Sequence, residues 1–423
     1  MIERNSSKSE KCELKNILIV MYSMGCGGVE KSLISFLNNM PQDRWNIDLL
    51  VASPHGMYMS QIPEYIHLIE NQYELENVTT SLSKRRKKVC GLNDLVNQIR
   101  WLCYSHLKKG NTKENYTESR WKIWGKHIKK LENHYDLAIS YWHGTTNYYV
   151  IDKVDADKKV LWLHNEFKKL GFDNDYERPY YTKADRIATI SQACVDSMVS
   201  VYPELKSKMT VLENISSGKT INRLANIIPE GDTFFDFSGF KIVSVGRLMK
   251  QKGIDYAIDA AKLLKERGVS FLWYVLGEGE LRPLLEAQIA KNGLQREFKL
   301  VGIKENPYPY IKASDVFVQP SRFEGKSIAL DEAKILCKPI LVTNYVTAKA
   351  SIENGINGLI VDMNPDAISE GVYELVVNEE LRQKLIKQLN SEKNSNEDEI
   401  EKYIKMIEEL LGELTDENAN CNK

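Results

Sequence analysis

The sequence predicts an α/β protein with two Rossmann-like domains facing a central cleft and a C-terminal helix docking back. Three observations carry the bare architecture. Short apolar runs of strand length alternate with helical patterns, as in a parallel sheet covered on both faces. The alternation breaks across a stretch holding Gly218, Pro229, Gly231 and Gly239, then starts again. The length of 423 residues exceeds one typical domain and fits two. The expected division is 14–215 for the first domain, 216–239 for a hinge and 240–395 for the second domain. Residues 396–415 form a final helix, and 416–423 a flexible tail.

In order, the first half opens with an apolar strand over Asn16–Tyr22, a glycine turn (Gly25, Gly27, Gly28) and a helix from Val29 to Asn39. Strands follow at Ile47–Ala52, Leu137–Trp142, Val160–Leu163, Arg186–Ile190 and Met209–Leu212. Between 82 and 130 the pattern is less regular, with helical spacing at Leu92, Leu95, Ile99 and Leu102. The second half places strands at Lys241–Val245, Leu272–Leu276, Phe298–Val301, Val316–Gln319, Ile340–Val342 and Leu359–Val361. Ile254, Ile258, Ala261 and Leu264 mark the helix after its first strand, and Ile400, Ile404, Ile407 and Leu411 the apolar face of the last helix.

Composition narrows the class. The apolar fraction of 43% supports sizeable cores, and the net charge is −1. Its distribution is uneven: Lys84–Lys130 carries 14 Lys/Arg against 3 Asp/Glu, and Glu392–Glu417 carries 10 acids against 3 bases. The seven cysteines show no metal-ligand spacing and read as reduced cytosolic thiols. No apolar run reaches the length of a signal-peptide core or a bilayer span, so a cytoplasmic protein, at most peripheral to a membrane, is expected.

The chemistry concentrates at 321–333. This segment follows a buried-strand pattern and opens a helix on which Ile328, Glu332, Ile335 and Leu336 share a stripe. A carboxylate in that stripe needs a partner or bears a large desolvation cost. Glu324 precedes the helix, whose free amides and positive dipole end favour an anion. Two carboxylates beside an anion site suit a ligand that joins many hydroxyls to phosphate, such as a nucleotide sugar. An acid at a helix start, and a Glu332 tilted to water, would be the ordinary alternatives. Arg247 ends the first strand of the second half, where open α/β sheets hold ligands, and with Lys252 it is placed to meet a diphosphate.

These segments resemble the donor domain of GT-B-fold retaining glycosyltransferases of family 4, of the bacterial surface-polysaccharide type. The matching stretches are Gly246-Arg247 with Lys252-Gly253, Leu276-Gly277-Glu278-Gly279-Glu280-Leu281, Glu324 paired with Glu332, and Asn354-Gly355-Ile356-Asn357-Gly358-Leu359-Ile360-Val361. The resemblance covers about Lys241 to Met363. A looser likeness lies in Gly27-Gly28-Val29-Glu30 and Trp162-Leu163-His164-Asn165.

The resemblance implies that Glu332 holds the ribose hydroxyls and Glu324 the donor-sugar hydroxyls, with Gly325, Lys326, Ser327 and Ile328 completing the donor loop. Arg247 and Lys252 would neutralise the diphosphate, Gly27 and Gly28 would offer backbone amides to it, and the Gly302-Ile303 turn would meet the base. His164 would sit beside the anomeric centre, and His143 is a second acceptor-side candidate. Lys326 departs from the family, which often has an apolar or aromatic residue there. The implied reaction moves a sugar from a UDP- or GDP-linked donor to a glycan acceptor, undecaprenyl-diphosphate-linked in the preferred reading, with retention and with no cofactor or metal.

The basic stretch, with Trp101, Tyr104, Trp121 and Trp124 among its lysines, reads either as a solvated face or as a dock for the anionic inner leaflet. No nucleic-acid motif accompanies it. Three competing classes are a nucleotide-sugar epimerase of the same fold, which needs no acceptor; a non-catalytic partner of another transferase; and a nicotinamide oxidoreductase. The last expects GxGxxG, where Gly25-Cys26-Gly27-Gly28-Val29-Glu30 has Glu for the third glycine.

Overall fold

A computed structural model describes residues 14–25, 27–69, 75, 78, 96, 99, 116–324 and 327–413. The chain divides into two compact units, Met1–Asn214 with Asp398–Lys423, and Ile215–Glu397.

The sheet of the first unit has seven strands: β1 (Lys15–Ser23), β2 (Trp45–Ser53), β3 (His67–Ile69), β4 (His134–Ser140), β5 (Asp155–Leu163), β6 (Arg186–Thr189) and β7 (Met209–Val211). Their order is β3-β2-β1-β4-β5-β6-β7, all pairs parallel. The second unit holds β8 (Phe240–Val245), β9 (Phe271–Leu276), β10 (Phe298–Leu300), β11 (Val316–Gln319), β12 (Ile340–Thr343) and β13 (Leu359–Val361). Their order is β10-β9-β8-β11-β12-β13, again all parallel. Counted within each unit, both begin 3-2-1-4-5-6, the doubly wound order. Ligand crevices in that order form where chain direction reverses, between the first and fourth strands.

Burial explains why the strands read as apolar runs. Ile17 to Met21 and Phe271 to Leu276 are buried residue by residue, because helices cover both faces of each sheet. In the second unit one face packs on Ile254, Ala257, Ile258, Ala261 and Leu264, and the other on Leu330, Ala333, Tyr310 and Ile311.

Three expectations change. The stretch 216–239, expected as a hinge, carries helices Gly218–Leu224 and Thr233–Asp236, and Ile221, Ala225 and Phe234 pack into the core of the second unit. The last helix, Glu399–Leu411, does pack on the first unit, with a face that keeps Ile407 of the expected row and otherwise turns to Tyr403 and Met406. Tyr403, Met406 and Ile407 are buried while Ile400 and Ile404 are only partly so. Tyr403 sits between Phe36 and Trp162, at 5.0 and 5.3 Å between ring centroids, so a large aromatic ring, rather than the isoleucine row, sets the docked face. Strand β3 was unforeseen, since only three residues pair and His67 and Leu68 are exposed.

Candidate active site

The site of the second unit is built at its strand-order reversal, from the loops after β8 and β11. Leaving β8, the chain makes a 3₁₀ turn, Lys250–Lys252, and enters the helix Ile254–Glu266 through Gly253. Gly253 has φ +63°, and a β-carbon there would collide with the Pro320 carbonyl, so only glycine lets this turn lie against the end of β11. Gly277, at φ +154°, packs as closely on the Gly246 carbonyl, and its amide donates to Gly302 O at 2.8 Å. The glycines of the Gly277-Glu278-Gly279 motif thus serve close backbone packing beneath the Arg247 loop.

Glu324 and Lys252 meet directly. Lys252 Nζ lies 2.7 Å from Glu324 Oε1, and Ser321 Oγ donates to the same oxygen at 2.6 Å. The Glu324 side chain is 6% exposed. The sequence reading gave the acid to the sugar and the lysine to the diphosphate; the structure joins them in one ion pair. Gln251 Nε2 approaches the other oxygen at 3.5 Å, and Thr347 Oγ1 donates to the Glu324 carbonyl at 2.9 Å.

Arg322 is the residue that sequence reading missed. Its guanidinium forks onto Asp255 at 2.8 and 2.6 Å, donates to Lys250 O, and covers the Tyr256 ring at 4.0 Å. With Arg322 N donating to Gln251 O, it clamps the two loops that present Glu324 and Lys252. Side-chain forks of this kind couple positions far apart in sequence, which spacing rules cannot see.

Glu332 is buried, as its place in the apolar stripe required, and Tyr308 OH donates to its Oε1 at 3.1 Å. Ser327 caps the helix Ile328–Ile335 and also donates to Gln319 Oε1 at 2.7 Å, tying the helix start to β11. Ile328 is half-buried on that helix's first turn. Arg247 is exposed and makes no ion pair among the described residues. Gly302 takes φ +75° and Ile303 is 42% exposed, which leaves that turn accessible. Gly325 and Lys326 lie outside the described residues.

In the first unit, helix Gly28–Asn39 starts behind Gly27. The Glu30 carboxylate folds back and accepts from the amides of Gly27 and of Glu30 itself, the reciprocal half of a capping box. Burial pushes its carboxyl above the usual range. The Gly27 amide assigned to phosphate therefore already has an acceptor, supplied three residues along the same chain. Gly28 is the first residue of the helix.

His164 follows β5 and is buried; its Nε2 sits 3.0 Å from the Tyr141 carbonyl, and burial lowers its pKa to about 3. His143 follows β4, and burial of its ring nitrogens lowers its pKa to about 4. Both imidazoles are neutral near pH 7. Of the aromatic residues expected at a membrane surface, Trp121 and Trp124 are instead core residues: Trp121 donates to Asp152 at 3.0 Å and Arg120 covers Trp124. Lys84 to Lys88, Trp101 and Tyr104 lie outside the described residues. Among the described residues no helix is long and apolar enough to cross a membrane.

Residues 234–391, which span this whole second site, match the family described as glycosyl transferases group 1. That stretch is similar to glycosyl transferases group 1. A relative named as an uncharacterized glycosyltransferase of Methanocaldococcus jannaschii is 29% identical over 203 residues, 46% of this chain and 50% of the relative, so the chain spans about half the length of that curated relative. A longer match, 24% identical over 88% of this chain and 92% of the relative, is to a Campylobacter jejuni protein. Its name is N-acetylgalactosamine-N,N'-diacetylbacillosaminyl-diphospho-undecaprenol 4-alpha-N-acetylgalactosaminyltransferase. Among solved structures, Anabaena HepE in complex with UDP superimposes with a TM-score of 0.60 at 16% identity, over 94% of this chain and all of that one. The fold shared with that structure matches the two parallel doubly wound sheets described above.

Proposed function

We propose that the chain is a retaining glycosyltransferase that moves a sugar from a nucleotide-sugar donor to a glycan acceptor. The observation that carries this reading is the Lys252–Glu324 pair at the strand reversal of the glycosyl transferases group 1 segment, with Glu332 eight residues along and Arg247 on the adjoining loop.

In this reading the bond between the anomeric carbon and the diphosphate oxygen breaks, and its electron pair leaves with the diphosphate. Arg247, exposed and unpaired among the described residues, and Lys252 meet that growing negative charge. Fixed cations stabilise a departing anion more than the ground state, which is the electrostatic kind of catalysis. Glu324, held by Lys252 and Ser321, orients donor-sugar hydroxyls, and Glu332 takes the ribose. The acceptor oxygen bonds to the anomeric carbon and its proton passes to the departing diphosphate, so charge balances without a metal step. Retention follows from the family resemblance and is read from the anomeric configuration of the product.

A lipid-linked acceptor, such as an undecaprenyl-diphosphate saccharide, is supported by the name of the Campylobacter relative. Work at the cytoplasmic face of a membrane, in surface-polysaccharide synthesis, would follow. The deciding assay mixes UDP- and GDP-sugars with an undecaprenyl-diphosphate-linked saccharide and measures nucleoside diphosphate release. The expected result is release that requires the acceptor. Neither release nor nucleotide binding with any donor would refute the reading, and donor isomerisation without acceptor would replace it with an epimerase.

A further inference from the structure

The helices of the 216–239 stretch belong to the second unit, and side chains tie them to the loop that follows β10. That loop runs from the Gly302-Ile303 turn to Tyr308, the donor to Glu332. Among the described residues, Ile303 to Asn306 make no backbone-to-backbone hydrogen bond, so side chains must hold its shape. Its anchors alternate with exposed positions. Gly302 O accepts from Gly277 N, and Lys304, Asn306 and Tyr308 each donate to a partner outside the loop, while Ile303 and Glu305 between them are exposed.

Two of those anchors reach the 216–239 stretch. Asn306 Nδ2 donates to the carbonyl of Leu224, the last residue of its first helix, at 2.7 Å. Lys304 Nζ lies 3.3 Å from Asp232 Oδ2 and stands 5.2 Å from the centroid of the Tyr310 ring. An ion pair between two mobile side chains contributes little, but here the acceptor is fixed. The Asp232 carboxylate accepts from Tyr310 OH at 2.8 Å, Tyr274 OH at 3.2 Å and Phe234 N at 3.1 Å, and its side chain is 15% exposed. Burial opposes its charge, yet these donors and the Lys304 ammonium together hold its carboxyl below the usual range. Lys304 is therefore drawn to one place, and the loop with it.

We propose that Lys304 and Asp232 are positioning residues for the nucleoside half of the donor. Their ion pair sets the loop that carries Ile303 at one end and the Tyr308 donor to Glu332 at the other, so one preset loop meets both base and ribose. This rests on the transferase reading and deepens it, giving the 216–239 stretch a part in nucleotide affinity rather than in bond breaking. Neither residue need touch the nucleotide. A loop ordered before the ligand arrives loses less freedom on binding, and that saving appears as affinity.

The test is titration calorimetry of the full chain with UDP and with GDP, reading both the dissociation constant and the number of sites. Lys304→Met should raise the dissociation constant of the nucleotide that binds by roughly five- to tenfold, with the number of sites unchanged. Lys304→Arg, which keeps a cation within reach of Asp232, should recover most of that loss. Asp232→Asn, which keeps the side chain's shape without its charge, should weaken binding to a similar degree. In the transfer assay the donor KM should rise while kcat stays near wild type. Fewer sites at an unaltered dissociation constant in Lys304→Met would mean that the pair only keeps the unit folded, and overturns the proposal. Unchanged or tighter binding in Asp232→Asn overturns it as well, because the freed lysine would then be meeting phosphate itself. In both cases the transferase reading stands. A wild type that binds no nucleoside diphosphate removes the transferase reading, and this role with it.

Discussion

Lys252 and Glu324 depend on one another, so replacing either has two consequences. Lys252→Met leaves a carboxylate that is 6% exposed without its cation, and breaking a buried pair from one side costs about 3 kcal/mol. Urea unfolding should report that loss together with weakened transfer. Glu324→Gln keeps an oxygen for the Ser321 hydroxyl and removes the charge, so transfer should collapse with a smaller stability change. Rates near wild type in both variants would mean that the chemistry lies elsewhere. At the neighbouring acid, Tyr308→Phe deletes the hydrogen bond to Glu332 Oε1, and a bond to a charged group contributes about 1.5 to 3 kcal/mol. If Glu332 holds the ribose, that loss appears in nucleotide affinity more than in turnover; an unchanged UDP affinity would separate Glu332 from the nucleotide.

At the level of elements, the loops after β8 and β9 stay in place through backbone-to-backbone contacts that only glycine permits. Gly277→Ala sets a methyl group against the Gly246 carbonyl at φ +154°, and a non-glycine residue forced into such a conformation costs on the order of 1 to 3 kcal/mol before the clash is counted. The second unit should lose at least that much stability, measured by denaturant unfolding, and Gly268→Ala, at φ +75° with open space around it, should cost less. Equal costs would show that the close approach is not what holds the loop. This is also where sequence reading ran out. Strands such as Val316–Gln319 and Leu359–Val361 were legible to the residue, because buried parallel strands are continuous apolar runs bounded by turns. Glu332 was legible because an acid in an apolar stripe is anomalous. The Arg322–Asp255 fork, the Tyr308 donor and the Glu30 capping contact were not, since two of the three join distant segments and the third is a conformational choice of a short side chain. The tyrosine-led face of the last helix was missed for a related reason: period counting weighted the isoleucines and overlooked the largest ring.

Over the whole molecule, the two units have separate cores and differ in which buried groups titrate. The first unit holds Glu177, which burial raises to about 8 while Tyr148 donates to it, and also His143 and His164, lowered to about 4 and about 3. Their effects on stability have opposite signs. Glu177 binds its proton more tightly when folded, so its contribution is complete below the unfolded carboxyl range and fades as pH rises toward 8. The histidines bind theirs less tightly when folded, so their contribution is complete above the unfolded imidazole value, about 6.5, and fades as pH falls. Between about pH 4.5 and 6.5 the unfolded chain holds two extra histidine protons, and in the folded chain Glu177 holds one extra proton. Stability of the first unit should therefore climb by up to about 1.4 kcal/mol per pH unit over that range. Above about 6.5 only the buried glutamates still bind protons differently in the two states, and stability should decline toward pH 8. Glu30, also raised by burial, acts in the same direction as Glu177. Calorimetry across pH should thus find a maximum for the first unit near neutrality, with Glu177→Gln flattening the alkaline limb and sparing the acid one. UDP should instead raise the transition of the second unit, because a ligand that binds only the folded state stabilises the unit that holds it. An alkaline decline that persists unchanged in Glu177→Gln would reassign the buried proton to another group.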